Sequence, residues 1–495
     1  MNYQTNHKPT LAKRLKSALH VLFNRYYEGA SYSKDNRSWN LITRTSANVE
    51  NRIAGQIMAN RARSLLRDSP YAHRALQTIV HNTVGAGIVP QIRSENEKTL
   101  KTLSQLWQEL AETPAIDIEG RQNFYSIQAQ ALRTIGSDGE SLVRKVKSKN
   151  SSRIPYQLQV LEPDYLDTYK EYRTETGYIT SGIEFKKVSD TRYDRFAYWL
   201  FKEHPGGFLN LQSYQSYSGA SIPIPADEVL HIYRIDRPGA VRGVSWFHQC
   251  LLALQDLHDY QQAVLRHQKL TACFAVFIKN LNGDTVLPEE EELSDIQPGM
   301  VYRLNPGEDI SLVQPPEPAT NYGEYCNHHL KSIASALGIT FECLSSDLSN
   351  VNFSSGRMGW IEMFRNIDSW QSQMLIPQLC DPVWNLFLNT AQAYGIDTSD
   401  VTVNWVPPKR EMINPTDEVE ALKTEVRSGF VTYSEALRSL GKDPEPHMVE
   451  AARDFEKLKQ LGLRLECDPS TEIQKPQPQL KLLKEPPHAK SDQQS

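Results

Sequence analysis

The chain has 495 residues, 39% of them hydrophobic, enough to bury a sizeable core and to divide into two or three domains. A net charge of -5 and a pI near 6.3 argue against a wholly basic nucleic-acid binder that holds phosphate by charge alone. No apolar run approaches the ~20 residues needed to span a bilayer. The cysteines (Cys250, Cys273, Cys326, Cys343, Cys380, Cys467) lie far apart with no secretory signal, and read as reduced thiols in a cytosolic setting. Asn36, Asn150 and Asn352 begin glycosylation tripeptides that are idle without a signal peptide.

Residues 1–45 are polar and basic. Leu11, Leu15, Ala18, Leu19 and Leu22 share one helix face, with Lys13, Arg14 and Lys16 off it. That pattern suits a helix docked on the rest of the subunit, or an arm for a membrane surface or DNA. From Ser46 to Ile135 the pattern is helical. Ser69-Pro70 is a helix start, followed by the face Ala72, Ala75, Leu76, Ile79, Val80 and Thr83 and closed by Gly85 and Gly87. Leu100, Leu103, Leu106, Trp107 and Leu110 predict another helix. Asn123 caps a third, with Phe124, Ile127, Ala131 and Ile135 as its stripe. Arg61, Arg63, Arg67 and Arg74 read as a solvated basic face with salt bridges between subunits.

Asp138-Gly139 signals a turn. Strands are expected at Leu142–Val146, Tyr156–Leu161, Tyr178–Phe185, Arg195–Phe201 and Val229–Tyr233, where alternation suits a half-buried antiparallel sheet. The block is α+β. An RPGAVRG loop, Arg237 to Gly243, leads into a helix of roughly Ser245 to Cys273, apolar at Phe247, Leu251, Leu254, Leu257, Val264, Leu265 and Leu270. At ~1.5 Å per residue it is ~40 Å long, more than a compact domain needs, so it is expected to cross or line something. Short strands follow at Phe274–Lys279, Met300–Leu304 and Ile310–Val313, around an acidic run at Glu289–Glu292. The next helix, Tyr322 to Leu337, stops at Gly338. Leu344 to Arg357 is rich in Ser, Asn and Asp, lacks an apolar period and reads as a polar loop. Phe353 to Tyr394 is a second long helix that Pro377 should kink. A strand at Val401–Val406 precedes helices opened by Asn414-Pro415, by a Thr432/Glu435 capping box, and near Pro446–Leu461. The Pro/Gln/Lys tail beyond Cys467 has the composition of disorder.

Catalytic signatures are missing: no GxxxxGK[ST], no HExxH and no GxSxG. Gly85-Ala-Gly87 is a helix terminator rather than a dinucleotide fingerprint. Cys326, His328, His329 and Cys343 lack the paired spacing of zinc ligands, and adjacent histidines point to different faces of a helix. Asp138 and Glu140 are better explained by the turn at Gly139 than as an acid/base pair, and Asp347 has no second carboxylate or histidine beside it in sequence. No catalytic, cofactor or metal residue is assigned.

The phrases RPGAVRGVSW, PGEDISLVQPPEPATNY, IASALGITFECLSSDLSNVNFSSGRMGWIE and VNWVPPKREMINPTDE resemble the lambda-like portal proteins of tailed phages. RARSLLRDSPYAHRALQTIVHNTVGAGIVPQ and SDGESLVRK do so further upstream, and the ordered matches run from about Arg61 to Gly462. The resemblance implies an N-terminal arm (1–45), a wing (46–236), a stem helix (237–273), a clip (274–321) and a second stem helix (322–338). A tunnel loop (339–357), a long kinked helix with a returning wing strand (358–412), a helical crown (413–465) and the tail (466–495) complete it. It further implies a ring of twelve subunits around a double-stranded DNA channel at a capsid vertex. Expected partners are the terminase large subunit and the head–tail connector, capsid and scaffold proteins, with no membrane and no cofactor.

Ser345, Ser346, Asp347, Ser349, Asn350, Asn352, Ser354, Ser355 and Arg357 are then the candidate channel-loop residues, able to touch phosphates without the lasting grip of a lysine cluster. Arg237, Arg242, Trp246, Tyr260, Tyr325 and Lys331 are the candidate stem and ring contacts. The rival readings are a metal-dependent nuclease or other enzyme of a mobile element, and a monomeric prophage-derived binding protein.

Overall fold

A computed structural model describes residues 44–148, 155–207, 221–272, 276–280, 308–312, 321–411 and 414–463. The expectations for the amphipathic arm, the Met300–Leu304 strand, the acidic run and the tail lie outside those residues.

The helical half of the wing follows its capping signals closely. Ser46 opens α1 (Ala47–Asp68), and Ser69 accepts from the Ala72 N–H to open α2 (Pro70–Thr83). Asn96 opens α3 (Glu97–Ala111), and Asn123 opens α4 (Phe124–Asp138). The apolar stripes of α2, α3 and α4 converge on one core, in which Trp107 meets Phe124, Trp384, Phe387 and Trp405 edge-on at centroid separations of 5.2–6.3 Å.

The sheets are antiparallel throughout. β1 (Val89–Arg93) pairs with the distant β12 (Thr402–Val406), Val89 opposite Val406. β1 was not expected from the sequence, because five residues that include Pro90 carry little strand signal. A three-stranded sheet runs β3-β2-β9, built from β2 (Glu140–Lys147), β3 (Tyr156–Leu161) and β9 (Val229–Tyr233). A five-stranded sheet runs in chain order through β4 (Tyr172–Thr174), β5 (Gly177–Thr180), β6 (Ile183–Ser189), β7 (Arg192–Leu200) and β8 (Ile222–Pro225). The single strand expected at Tyr178–Phe185 is therefore two. Ser181 and Gly182 take φ of 48° and 78° and turn the chain between them.

A 3-10 turn at Trp246–Gln249 leads into the stem helix α5 (Leu251–Ala272). Among its described side chains, those buried lie in the first turns, at Leu251, Leu254 and Leu257. β10 (Val276–Asn280) and β11 (Glu308–Leu312) pair beyond it, and α6 (Tyr322–Leu337) returns to the core and ends at Gly338 in the left-handed conformation. After the short α7 (Phe341–Ser345) comes α8 (Phe353–Trp370), which runs through a π-helical stretch at Gln371–Cys380 into α9 (Asp381–Ala393). The chain absorbs Pro377 inside that stretch rather than breaking there. Proline lacks an N–H and crowds the preceding turn, and a wider turn accommodates both faults. α10 (Pro415–Arg427), α11 (Tyr433–Ser439) and α12 (Pro444–Gln460) complete the fold. Gln91 tethers them by donating to Asp443 (2.8 Å) and accepting from Arg438 (3.1 Å).

Candidate nucleic-acid interface and ring contacts

The segment between α6 and α8 is more ordered than a polar loop. Thr340 caps α7, Ser346 ends it at φ 60°, and Asn352 with Ser355 forms a full capping box on α8. The open loop is therefore only 346–352, with Ser354, Ser355 and Arg357 on the first turn of α8.

Most of its polar side chains are already engaged with their own backbone. Ser345 Oγ donates to the Phe341 carbonyl and accepts from Asp347 N–H at 3.1 Å. Asp347 accepts from the Ser349 hydroxyl (2.6 Å) and N–H (3.0 Å), and those donors hold its carboxyl below its ordinary pKa. Asn352 and Ser355 bond each other's backbone. Hydrogen bonding by Asn, Asp and Ser within a turn is the ordinary use of such a composition. Asn350, Ser354 and Arg357 are exposed, beside the exposed apolar groups of Leu348, Phe353, Met358 and Ile361.

The six stem candidates divide. Trp246 is 3% exposed and packs on Trp370 at 4.7 Å, and Arg242 turns inward to pair with Glu140. Trp246 is thus enclosed by its own subunit, and Arg242 keeps only a small part of its side chain exposed. Tyr260 stacks on Tyr322 and Tyr325 (5.8 and 4.3 Å), joining α5 to α6 within one subunit. Arg237 pairs with Glu50, and Lys331 lies over the Phe341 ring at 5.5 Å. Tyr325 and Lys331 keep exposed surface. A further candidate contact is the exposed stripe Val49, Ile53 and Ile57 on α1. Its four-residue spacing was legible, but such a stripe ordinarily signals burial.

Of the four arginines on α1 and α2, Arg61, Arg67 and Arg74 are exposed as expected and Arg63 is drawn inward. Arg63 forks onto Asp138 (2.8 and 2.7 Å), also bonds Asp164, and is largely buried, so it braces one subunit internally. Burial pushes the Asp138 carboxyl up against the pull of Arg63. Arg74 Nε donates to the Cys343 carbonyl at 3.1 Å, holding α2 against α7.

Asp138 and Glu140 do flank a turn, yet both also carry buried charge. Glu140 accepts from Arg242, His231 (2.8 Å) and the Gly243 N–H (3.0 Å). Burial works to raise its pKa, but Arg242 and His231 outweigh it and hold the carboxyl well below the usual range. Partners some hundred residues away could not be read from the DGE string.

Among the described residues one group offers metal-ligating atoms close together: Glu162, Asp164 and His204. It is poorly suited to a cation. Gly206 N–H donates to His204 Nδ1 at 3.0 Å, so in the neutral ring the proton sits on Nε2, facing Glu162 at 3.0 Å. Arg63 already pairs with Asp164.

Residues 32–371 match the family described as "Phage portal protein, lambda family". A probable portal protein of Halomonas phage phiHAP-1 is 24% identical over 92% of this chain and 89% of its own length. Portal protein B of Escherichia phage lambda is 19% identical over 88% and 90%. Among solved structures, a chain titled as the virion of a native gene transfer agent particle overlays with TM-score 0.42 at 16% identity, over 80% of this chain and 99% of that one. An HK97 family phage portal protein from Corynebacterium diphtheriae overlays with TM-score 0.33 at 10% identity, over 71% and 94%.

Proposed function

The chain belongs to the lambda family of phage portal proteins, and we propose that twelve copies close into a ring at one capsid vertex and pass double-stranded DNA through it. The family match over residues 32–371 carries this reading. A ring needs a heterologous contact that closes on itself. The α1 stripe of Val49, Ile53 and Ile57, with Tyr325 and Lys331 on the stem, would supply part of it. The later turns of α5, which bury nothing within the subunit up to Lys269, suit a helix that lines a passage or leans on a neighbour.

At the loop, Ser346, Asn350, Ser354 and Arg357 are the groups left to meet phosphates, since Ser345, Asp347, Ser349, Asn352 and Ser355 are engaged with one another or with nearby backbone. A surface with few cations suits sliding, because each lysine or arginine held on a phosphate adds counterion-release affinity. The role is mechanical: the chain nucleates the head, docks the terminase motor, holds the genome and hands it to the tail. Hydrolysis is supplied by the motor, in the host cytoplasm during assembly.

Light scattering with negative-stain images tests the ring. Twelve copies of a 56.4 kDa chain come to roughly 680 kDa, and the images should show a central hole. A chain that stays monomeric with and without scaffold and capsid proteins overturns the reading. For the loop, Asn350→Ala with Arg357→Glu should leave rings intact and lower the DNA content of filled heads. Heads with a normal genome remove the loop from the DNA path.

A further inference from the structure

The loop between the sheets and the stem, Arg237–Gly243, is clamped from two sides. On one side α1 holds it: Asn48 donates to the Gly239 carbonyl (3.0 Å) and accepts from Val241 N–H (2.9 Å), Asn51 donates to the Arg242 carbonyl, and Arg237 reaches Glu50 and the Thr45 carbonyl. On the other side lies a largely buried polar cluster. Its members are Glu140 on β2, Arg195 and Tyr198 on β7, His231 and Tyr233 on β9, and Arg242 of the loop itself.

The bonds in that cluster run in one direction. Arg195 donates to both tyrosine hydroxyls, at 3.3 Å to Tyr198 and 2.6 Å to Tyr233. Tyr233 passes its own proton to the Ala240 carbonyl of the loop at 3.0 Å. The Tyr198 hydroxyl lies 3.5 Å from His231 Nδ1, at the limit of a hydrogen bond, and His231 Nε2 lies 2.8 Å from Glu140. Glu140 in turn receives Arg242 and the Gly243 N–H from the loop. Ionised Glu140 can only accept, so Nε2 carries the proton, and Nδ1 of the neutral ring is left to accept from the Tyr198 hydroxyl. Only the neutral ring with its proton on Nε2 then satisfies every member.

We propose that the Arg237–Gly243 loop is an acid-sensitive latch between the sheets and the stem helix, closed while His231 is neutral and released when it gains a proton. A proton on Nδ1 sets a donor against the Tyr198 hydroxyl and strands that hydroxyl's own proton in a buried site, a costly arrangement. It also adds a charge to a largely buried cluster that already holds two guanidiniums against one carboxylate. Opening toward solvent relieves both, and the bonds to Ala240, Arg242 and Gly243 are the ones lost. Burial, opposed in part by Glu140 and reinforced by Arg195 and Arg242, keeps the imidazole below its ordinary pKa. The latch is therefore closed at neutral pH, and opens as pH falls below about 6.5 and through the lower value of the folded ring.

Hydrogen exchange of the full-length protein, followed in peptides covering 237–245 and corrected for intrinsic rates, tests this. The opening equilibrium should rise by up to about tenfold per pH unit as pH falls from about 6.5 toward the lower pKa of His231 in the closed state, and level off below it. In His231→Gln, which cannot titrate, that dependence should vanish between about pH 6.5 and 5, above the range in which a released Glu140 carboxylate takes up a proton. Exchange that does not rise with acid, or that rises equally in His231→Gln, overturns the latch. Should that variant fail to fold, Tyr198→Phe gives a second test, because removing the hydroxyl lifts one penalty on the protonated ring. The acid-driven rise in opening should then be smaller than in the wild type, and an unchanged rise overturns the relay.

Discussion

The wing and the crown are built from helices of similar length and similar capping, yet one is packed and the other is bare. α4 has eight buried residues, Phe124, Ile127, Gln128, Ala131, Leu132, Ile135, Gly136 and Asp138, whereas α10 has none and α12 only Pro444. Both α4 and α10 open on an asparagine cap, so the local signals are equal and the difference lies in what surrounds the helix. A helix of 13 residues has little stability of its own in water. The exposed apolar groups Val419, Phe430, Tyr433 and Val449 suggest that the crown is completed by neighbouring copies in the assembly.

Truncation of the core should separate the two regions most sharply. Phe387→Ala removes a ring that packs on Trp107 and Trp384 and should cost about 3–5 kcal/mol in denaturant unfolding of the dissociated chain. Phe430→Ala, in the crown, should stay within about 0.5 kcal/mol in the same assay. Equal losses would mean that the crown has a core of its own within the single chain. Next in size is Gly139→Ala. Gly139 sits at φ 100°, and an added Cβ would lie 2.3 Å from the Val244 carbonyl carbon. The backbone conformation alone should cost about 1–3 kcal/mol, with the contact adding to it, read as a lowered Tm. A Tm equal to wild type would show that the corner beneath the stem can relax.

The caps give the smallest and most discriminating pair. Asn123→Ala should cost about 1 kcal/mol of global stability, because α4 unfolds only with the wing. Asn414→Ala removes an equivalent cap, yet should show up as faster hydrogen exchange confined to the crown with little change in the global midpoint. If Asn414→Ala lowers the global midpoint as far as Asn123→Ala does, the crown and wing form one cooperative unit and the contrast fails.

How much of this could be read in advance depended on the range of the interaction. The caps at Ser69, Asn123 and Asn414, and the left-handed stop at Gly338, act over three or four residues, and each stands where its residue type predicts. The portal family was equally legible, since long ordered phrases of sequence carry it. The loop 346–352 lay between. Its composition announced a turn, but whether Asn352 and Ser355 would face DNA or cap α8 was decided by the start of that helix.

The sequence by itself determined most of the helices with their caps, several of the strands, and the family to which the chain belongs. Only the tertiary structure decided that Arg242 and Trp246 turn inward, that Arg63 braces Asp138 and Asp164, and that Glu140 joins β2, β9 and the loop before the stem. It also decided that β1 pairs with β12 from the far side of the chain. The physical reason is separation. Capping and amphipathic periods are written into neighbouring residues, whereas a buried carboxylate takes whichever cations the fold brings to it, here from 91 and 102 positions away.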